Sequence, residues 1–175
     1  MACLVCQSTV AGEVQHAGVW RSDDVYYLDL AASIDADLDT VYRIATNYNE
    51  LEQVSNLLLE TDLINSPAAE GKRLHVLARS CFLIFCFKVR VVNDLAETDH
   101  TIHAAIVPAL SDFKSGSTTW KFQRLDDNNS RMQVTGELVP DFWIPPVIGP
   151  FVIKRKMVRE ARKIIDHIEQ LGGNA

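Results

Sequence analysis

A stripe of apolar residues near the C-terminus is the clearest periodic pattern in the chain. It recurs at helical spacing from about residue 151 to residue 171, with Lys, Arg and Glu on the opposite side, and Gly172 and Gly173 mark its end. At about 1.5 Å per residue, the pattern predicts a helix roughly 30 Å long. The stripe consists of Met157, Val158, Ala161, Ile164, Ile165, Ile168 and Leu171.

The rest of the chain is dominated by strand-like segments separated by turn residues. Residues 25–34 predict a first strand, and Asp35 or Asp37 can then cap a helix with apolar positions at Leu38, Val41, Tyr42 and Ala45. A second short helix is expected over 48–54. Six further strands are predicted at 57–65, 72–80, 86–95, 100–108, 117–125 and 131–139.

Short connections make these strands an antiparallel meander, because parallel neighbours need crossovers of a dozen residues or more. The predicted fold class is α+β: a curved seven-stranded antiparallel sheet around the long C-terminal helix, with two short helices after the first strand. Residues 1–19 are expected to form a flexible N-terminal segment, 20–171 a single domain and 172–175 a tail.

Composition narrows the class of protein. The chain has 175 residues, 47% of them hydrophobic, and a net charge of −6, so we expect one folded domain that does not bind nucleic acid in general. No apolar run reaches the ~18 residues of a membrane span. The five histidines show no metal-ligand spacing, and neither a nucleophile elbow nor a phosphate-binding glycine loop is present. We therefore predict no metal and no cofactor.

The four cysteines form two pairs, Cys3 with Cys6 and Cys81 with Cys86. The first pair lacks the partners of a zinc or redox site and is interpreted as part of the N-terminal segment. Cys81 and Cys86 flank a short loop between neighbouring strands, where either a disulfide or two free thiols would fit. A disulfide would indicate an oxidising compartment, so the location, cytoplasmic or periplasmic, stays open.

Two short motifs and the order of elements resemble a known family. The motifs are Ser33-Ile34-Asp35-Ala36 and Thr46-Asn47-Tyr48, and the order is a strand, two short helices, six strands and a long helix. Over roughly residues 20–171 the chain resembles the helix-grip fold of the Bet v 1-like START superfamily, in particular its polyketide cyclase and coenzyme-Q-binding type. The resemblance implies a cavity for a hydrophobic ligand between sheet and helix, in proteins of which many have no demonstrated catalysis.

The loops at the two ends of the meander differ in character. One end receives polar turns, whereas the other receives the apolar loops 82–85, 109–116 and 140–150. The resemblance places the cavity mouth at this apolar end. Such loops either fold inward and plug the end or dock on a membrane or apolar partner. The docking candidates are Phe82, Leu83, Ile84, Phe85, Phe113, Trp143 and Ile144.

A basic segment follows the last apolar loop. Six basic residues and one acid between Lys154 and Lys163 give a local net charge of +5. Basic residues near an anionic bilayer contribute about 1 kcal/mol each, so Lys154 and Lys156 join the docking candidates, although a solvated helix face would have the same composition.

Few residues suit the cavity itself. The polar candidates are His75, Arg79 and His103, with His75 and Arg79 on one face of their strand. Apolar positions that serve either as lining or as ordinary core are Tyr26, Trp120, Phe122, Met132 and Val134.

These features are consistent with two functions. The first is a protein that carries or sequesters a lipid, quinone or similar hydrophobic small molecule, with peripheral membrane contact. The alternative is a polyketide cyclase or dehydratase-type enzyme, which would need acid and base groups converging in the cavity. The docking features favour the carrier, and no catalytic residues are assigned.

Overall fold

A computed structural model describes residues 12–65, 71–82 and 85–172. Within these ranges, eight antiparallel strands form one sheet in the order β1-β2-β8-β7-β6-β5-β4-β3. The strands are β1 (Val14–Ser22), β2 (Val25–Ile34), β3 (Leu58–Asn65), β4 (Lys72–Phe82), β5 (Phe85–Thr98), β6 (Thr101–Ile106), β7 (Phe113–Arg124) and β8 (Ser130–Pro140). The helices are α1 (Leu38–Ala45), α2 (Leu51–Val54) and α3 (Gly149–Gly172), with 3₁₀ turns at Tyr48–Glu50 and Pro108–Leu110.

The predicted α+β class and the long helix against an antiparallel sheet are confirmed. The strand count is one too low, because residues 14–19 belong to β1 and not to a flexible segment. Strand β1 pairs with β2 through a tight turn in which Asp23 has a φ of 52°. It lies at the edge of the sheet without strict alternation of buried and exposed positions, so the period of two that reveals a half-buried strand is missing.

The short helices begin and end close to their predicted positions. The Asp37 side chain accepts a hydrogen bond from the Thr40 backbone N–H at 2.9 Å, and this bond lowers the pKa of the Asp37 carboxyl. Asp37, not Asp35, is therefore the N-cap of α1. The second predicted helix is a 3₁₀ turn followed by a single α-helical turn.

The core lies between the concave sheet and the C-terminal half of α3. Ile165 and Ile168 of α3 are each 1% exposed and pack with the buried side chains of β2 and α1. Glu169 fixes this end of the helix, because its Oε1 accepts hydrogen bonds from the backbone N–H groups of Gly12 at 2.7 Å and Asp35 at 2.9 Å. The N-terminal half of α3 is left to cover the apolar end of the sheet.

Candidate ligand cavity

A cavity of about 520 Å³ lies under the N-terminal half of α3. Its walls are the apolar ends of β2, β4, β5, β7 and β8, the loop 141–148 and the first two turns of α3. This volume falls within the roughly 300–1,000 Å³ of small-molecule sites. The apolar residues that line it include Leu28, Leu57, Val89, Val91, Leu138, Val152 and Ile153.

The register of the sheet decides which residues reach this cavity. On β4 the buried Leu74 is followed at intervals of two by Val76, Ala78 and Ser80, and the last two line the cavity. Ala78 pairs with Val89 of β5, which also lines it. Paired residues of an antiparallel ladder share a face, so the even-numbered positions of β4 form the inner surface.

The three polar cavity candidates are placed differently: Arg79 borders the cavity, whereas His75 and His103 do not line it. His75 and Arg79 alternate with the inner positions of β4, and the His75 Nδ1 lies 3.8 Å from an Asp62 carboxylate oxygen. Arg79 borders the cavity but is itself exposed. His103 is exposed between the buried Ile102 and Ala104, and its Nδ1 lies 3.1 Å from Thr119 Oγ1.

The apolar candidates fall at two different depths. Phe122, Met132 and Val134 are 4%, 2% and 6% exposed and form solid core, against which Trp120 packs. Tyr26, by contrast, lines the cavity. The opposite end of the sheet is filled by side chains of α1 and α3, whereas the apolar end is open. Alternation along a strand shows which residues share a face of the sheet, but not how deeply each residue is buried. For this reason the sequence could not distinguish residues that line the cavity from residues of the solid core.

Part of the apolar loops folds inward. Phe142 turns inward and packs edge-to-face on Phe87 and Phe113, with centroids 5.6 Å away in each case. Phe113 and Ile144 also line the cavity. Gly149 allows the loop to approach α3, because a Cβ there would lie 2.5 Å from Ile144 Cγ2.

Other side chains of the same region stay in solvent. Trp143 is 79% exposed, although it also borders the cavity, and Val147 and Phe151 are 89% and 66% exposed. These three residues, with Ile148, form an exposed apolar patch at the start of α3. Phe82 and Phe85 pair across the β4–β5 hairpin, and Leu83 and Ile84 lie outside the described residues.

The two lysines predicted to dock on a membrane point in different directions. Lys154 is exposed. Lys156 lines the cavity, and its ammonium group donates hydrogen bonds to Ser80 Oγ at 3.4 Å and to the Cys81 carbonyl oxygen. Burial, assisted by the charge of Arg159, lowers the pKa of Lys156. Lys156 is thus a group of the cavity wall, whereas Lys154 remains available to a docking surface.

Cys81 and Cys86 are opposite each other at the end of the β4–β5 hairpin. They pair in the strand register and their Sγ atoms are bonded as a disulfide. Cys81 borders the cavity and its carbonyl oxygen accepts the hydrogen bond from Lys156. The disulfide therefore closes the hairpin at the point where α3 contacts it.

Reduction of this disulfide should lower the free energy of unfolding by about 2 kcal/mol, the loop entropy for a closure of this length. The two cysteines are separated by five positions in the sequence. Denaturant unfolding with and without reductant measures the difference, and a Cys81→Ala, Cys86→Ala double variant should not respond to reductant. Alkylation of both thiols in non-reduced, denatured protein would contradict the bond.

No protein-family model matches the chain, and no curated protein matches it significantly. Solved structures do match. A START superfamily protein from Mycobacterium smegmatis superposes with a TM-score of 0.69 at 11% identity, covering 83% of this chain and 98% of that one. The Zhui aromatase/cyclase from a Streptomyces species gives 0.64 at 9% identity, over 85% and 94% of the two chains. Human STARD10 gives 0.64 at 11% identity, over 93% and 75%.

These similarities, together with the element order, define a Bet v 1-like START fold. The fold that the resemblance implied is confirmed. At these identities the comparisons establish the fold and leave the activity to the site itself.

Neither α3 nor any other helix within the described ranges carries an apolar stretch long enough to cross a membrane. Across residues 12–65, 71–82 and 85–172, no three His, Cys, Asp or Glu side chains are grouped so that they could hold a metal ion.

Proposed function

We propose that this protein binds a hydrophobic small molecule, such as a lipid or quinone, in the cavity under α3 and carries or sequesters it. The observation that supports this most is the lining: about 520 Å³ of space lined mainly by aliphatic and aromatic side chains. Water held there would find few hydrogen-bond partners, so its replacement by an apolar molecule is favourable by roughly 25 cal/mol for each Å² of buried apolar surface.

The chemistry of the lining favours binding over cyclisation. A cyclase would need a general acid or base within reach of the substrate. Among the described residues that line the cavity there is no carboxylate and no imidazole; the ionisable side chains are those of Tyr26, Arg79 and Lys156, and Ser80 adds a hydroxyl group. His75 and His103, the side chains best suited to proton transfer, lie on the outer face of the sheet.

The test is a titration of the wild-type protein with the neutral apolar dye Nile red, followed by competition with dodecanol. We expect saturable binding to one site and full displacement, with an increase in dye fluorescence because the cavity is apolar. Weak, non-saturating fluorescence that dodecanol does not reduce would contradict a defined cavity site.

We further propose that the exposed apolar patch docks the protein on anionic membranes during loading or release of the ligand. Trp143, Val147 and Phe151 lie beside the cavity and are more than half exposed, and apolar patches of this kind mark contact surfaces. Lys154 and Arg155 are exposed in the next turn of α3. An apolar patch with adjoining basic residues matches the interface of a bilayer that contains acidic lipids.

The docking proposal predicts reversible co-sedimentation with liposomes that increases with the fraction of anionic lipid. Binding should weaken as salt rises, because exposed charges are screened over a Debye length of about 10 Å at 0.1 M. Trp143→Ala with Phe151→Ser should lower the bound fraction several-fold without a change in Tm, since both side chains are in solvent. Leu125→Ser, which replaces another exposed apolar residue, is the control. Equal binding to liposomes by the Trp143→Ala, Phe151→Ser double variant and by Leu125→Ser would contradict docking through the exposed apolar patch.

A further inference from the structure

One inward position of α3 carries a charge where the helix would otherwise present an apolar side chain. Val152, Ile153 and Lys156 line the cavity, and Ala161 and Ile165 continue the same stripe into the core. A lysine on a helix surface ordinarily extends its ammonium group into water. Lys156 instead extends across to the end of β4.

The partners of Lys156 within the described structure are neutral. Its ammonium group contacts a hydroxyl oxygen and a backbone carbonyl oxygen, and no described carboxylate lies within ion-pair distance. The nearest acid along the helix, Glu160, is already engaged: it accepts hydrogen bonds from Lys163 Nζ at 2.9 Å and from the Ser55 hydroxyl. Arg159, whose positive charge also lowers the pKa of Lys156, is another cation.

A half-buried ammonium group without a counterion is energetically unfavourable. Its removal from water disfavours the charged form, and the neutral partners compensate for only part of that cost. An anion brought beside it by a ligand would restore the balance, since hydrogen bonds between charged groups are about twice as strong as neutral ones. The apolar side chains that line the cavity would contact the hydrophobic part of the same ligand.

We propose that Lys156 selects the ligand: its ammonium group binds the acidic head group, a carboxylate or a phosphate, of an amphiphile whose apolar chain occupies the cavity. This inference rests on the proposed function, because it names the class of ligand for that cavity. Lys156 stands at the hairpin side of the cavity, so the head group would contact Lys156 and Ser80 while the chain lies along Val89 and Val152.

The experiment compares three probes that share one chain: dodecanoate, dodecyl phosphate and dodecanol, each competing with Nile red at about pH 7.5. We expect wild type to bind at least one of the two acids about tenfold or more tightly than dodecanol, as a charge-assisted hydrogen bond predicts. The two acids distinguish a carboxylate from a phosphate head group. Equal affinity for all three probes would overturn the inference while leaving the proposed function intact.

Variants at the lysine decide whether this group is responsible. Lys156→Met should lower the affinity for the preferred acid about tenfold and change that for dodecanol by less than about twofold, which also reports that the variant is folded. Lys156→Arg should keep the preference. Lys154→Met, which removes an exposed charge two positions away, should have no effect.

Two results would contradict the assignment. A preference for acids that persists in Lys156→Met would place the recognition elsewhere. A variant that loses stability but keeps the acid preference would show that Lys156 only fastens α3 to the β4–β5 hairpin. Failure of wild type to bind any of the three probes or Nile red would instead refute the proposed function.

Discussion

Ile165→Asp should unfold the protein or lower its free energy of unfolding by about 4 kcal/mol or more. Ile165 is 1% exposed and lies at the centre of the stripe that joins α3 to the sheet. Aspartate there would place a carboxylate among aliphatic side chains, and burial of an unpaired charge costs several kcal/mol. Since domains are stable by roughly 5–15 kcal/mol in total, the loss should be visible by circular dichroism as an absent or strongly shifted thermal transition.

Ile148→Asp is the matched control for this prediction. It makes the same chemical change immediately before α3, but at a side chain that is 46% exposed, and a negative charge at the start of a helix is mildly favourable. We expect its Tm to remain within a few degrees of wild type. Similar destabilisation by both variants would contradict the packing of α3 described above.

Ala78→Trp should weaken ligand binding about tenfold or more while leaving the fold intact. Ala78 is a small side chain on the inner face of β4, paired with Val89 and in contact with the cavity. An indole at this position would fill space that the ligand needs, and because the space is open the cost of overpacking should stay below the usual 1–3 kcal/mol. We expect the affinity for Nile red to fall about tenfold or more, with a Tm close to that of wild type.

The control for this variant is Ala96→Trp. Ala96 is exposed on β5 and pairs with His103 on the outer face of the sheet, so its replacement adds the same indole away from the cavity. Its affinity for the dye should equal that of wild type. Unchanged binding by Ala78→Trp would place the ligand outside the cavity under α3.

Much of the fold follows from local patterns. The strand over 25–34 was predictable because it is rich in β-branched and aromatic residues, and the helix from Leu38 to Ala45 because its apolar positions repeat at three to four residues. Strand β1 was not, since an edge strand without strict alternation gives no such signal. Its Asp23-Asp24 turn, followed at once by the clear strand β2, is the one local feature that could have indicated a hairpin.

Less of the candidate site than of the fold could be predicted from the sequence. The apolar end of the sheet could be identified because alternate connections of a meander lie at the same end, and Phe113 and Ile144 do line the cavity there. The inner face of β4 could not be identified in this way. His75 and Arg79 lie on one face of the strand, but nothing in the sequence shows whether that face is buried or exposed. Lys156 was assigned to the basic surface because its neighbours are basic, yet its place on the stripe with Val152 and Ile153 could have indicated an inward position.

The central claim is that the cavity under α3 holds a hydrophobic molecule. Native mass spectrometry of wild type and Ala78→Trp, each incubated with the same total lipid extract, tests it most directly. We expect an additional non-covalent mass on wild type, released on denaturation and soluble in organic solvent, and its absence from Ala78→Trp. Wild type that carries no additional mass, or the same mass on both proteins, would contradict it.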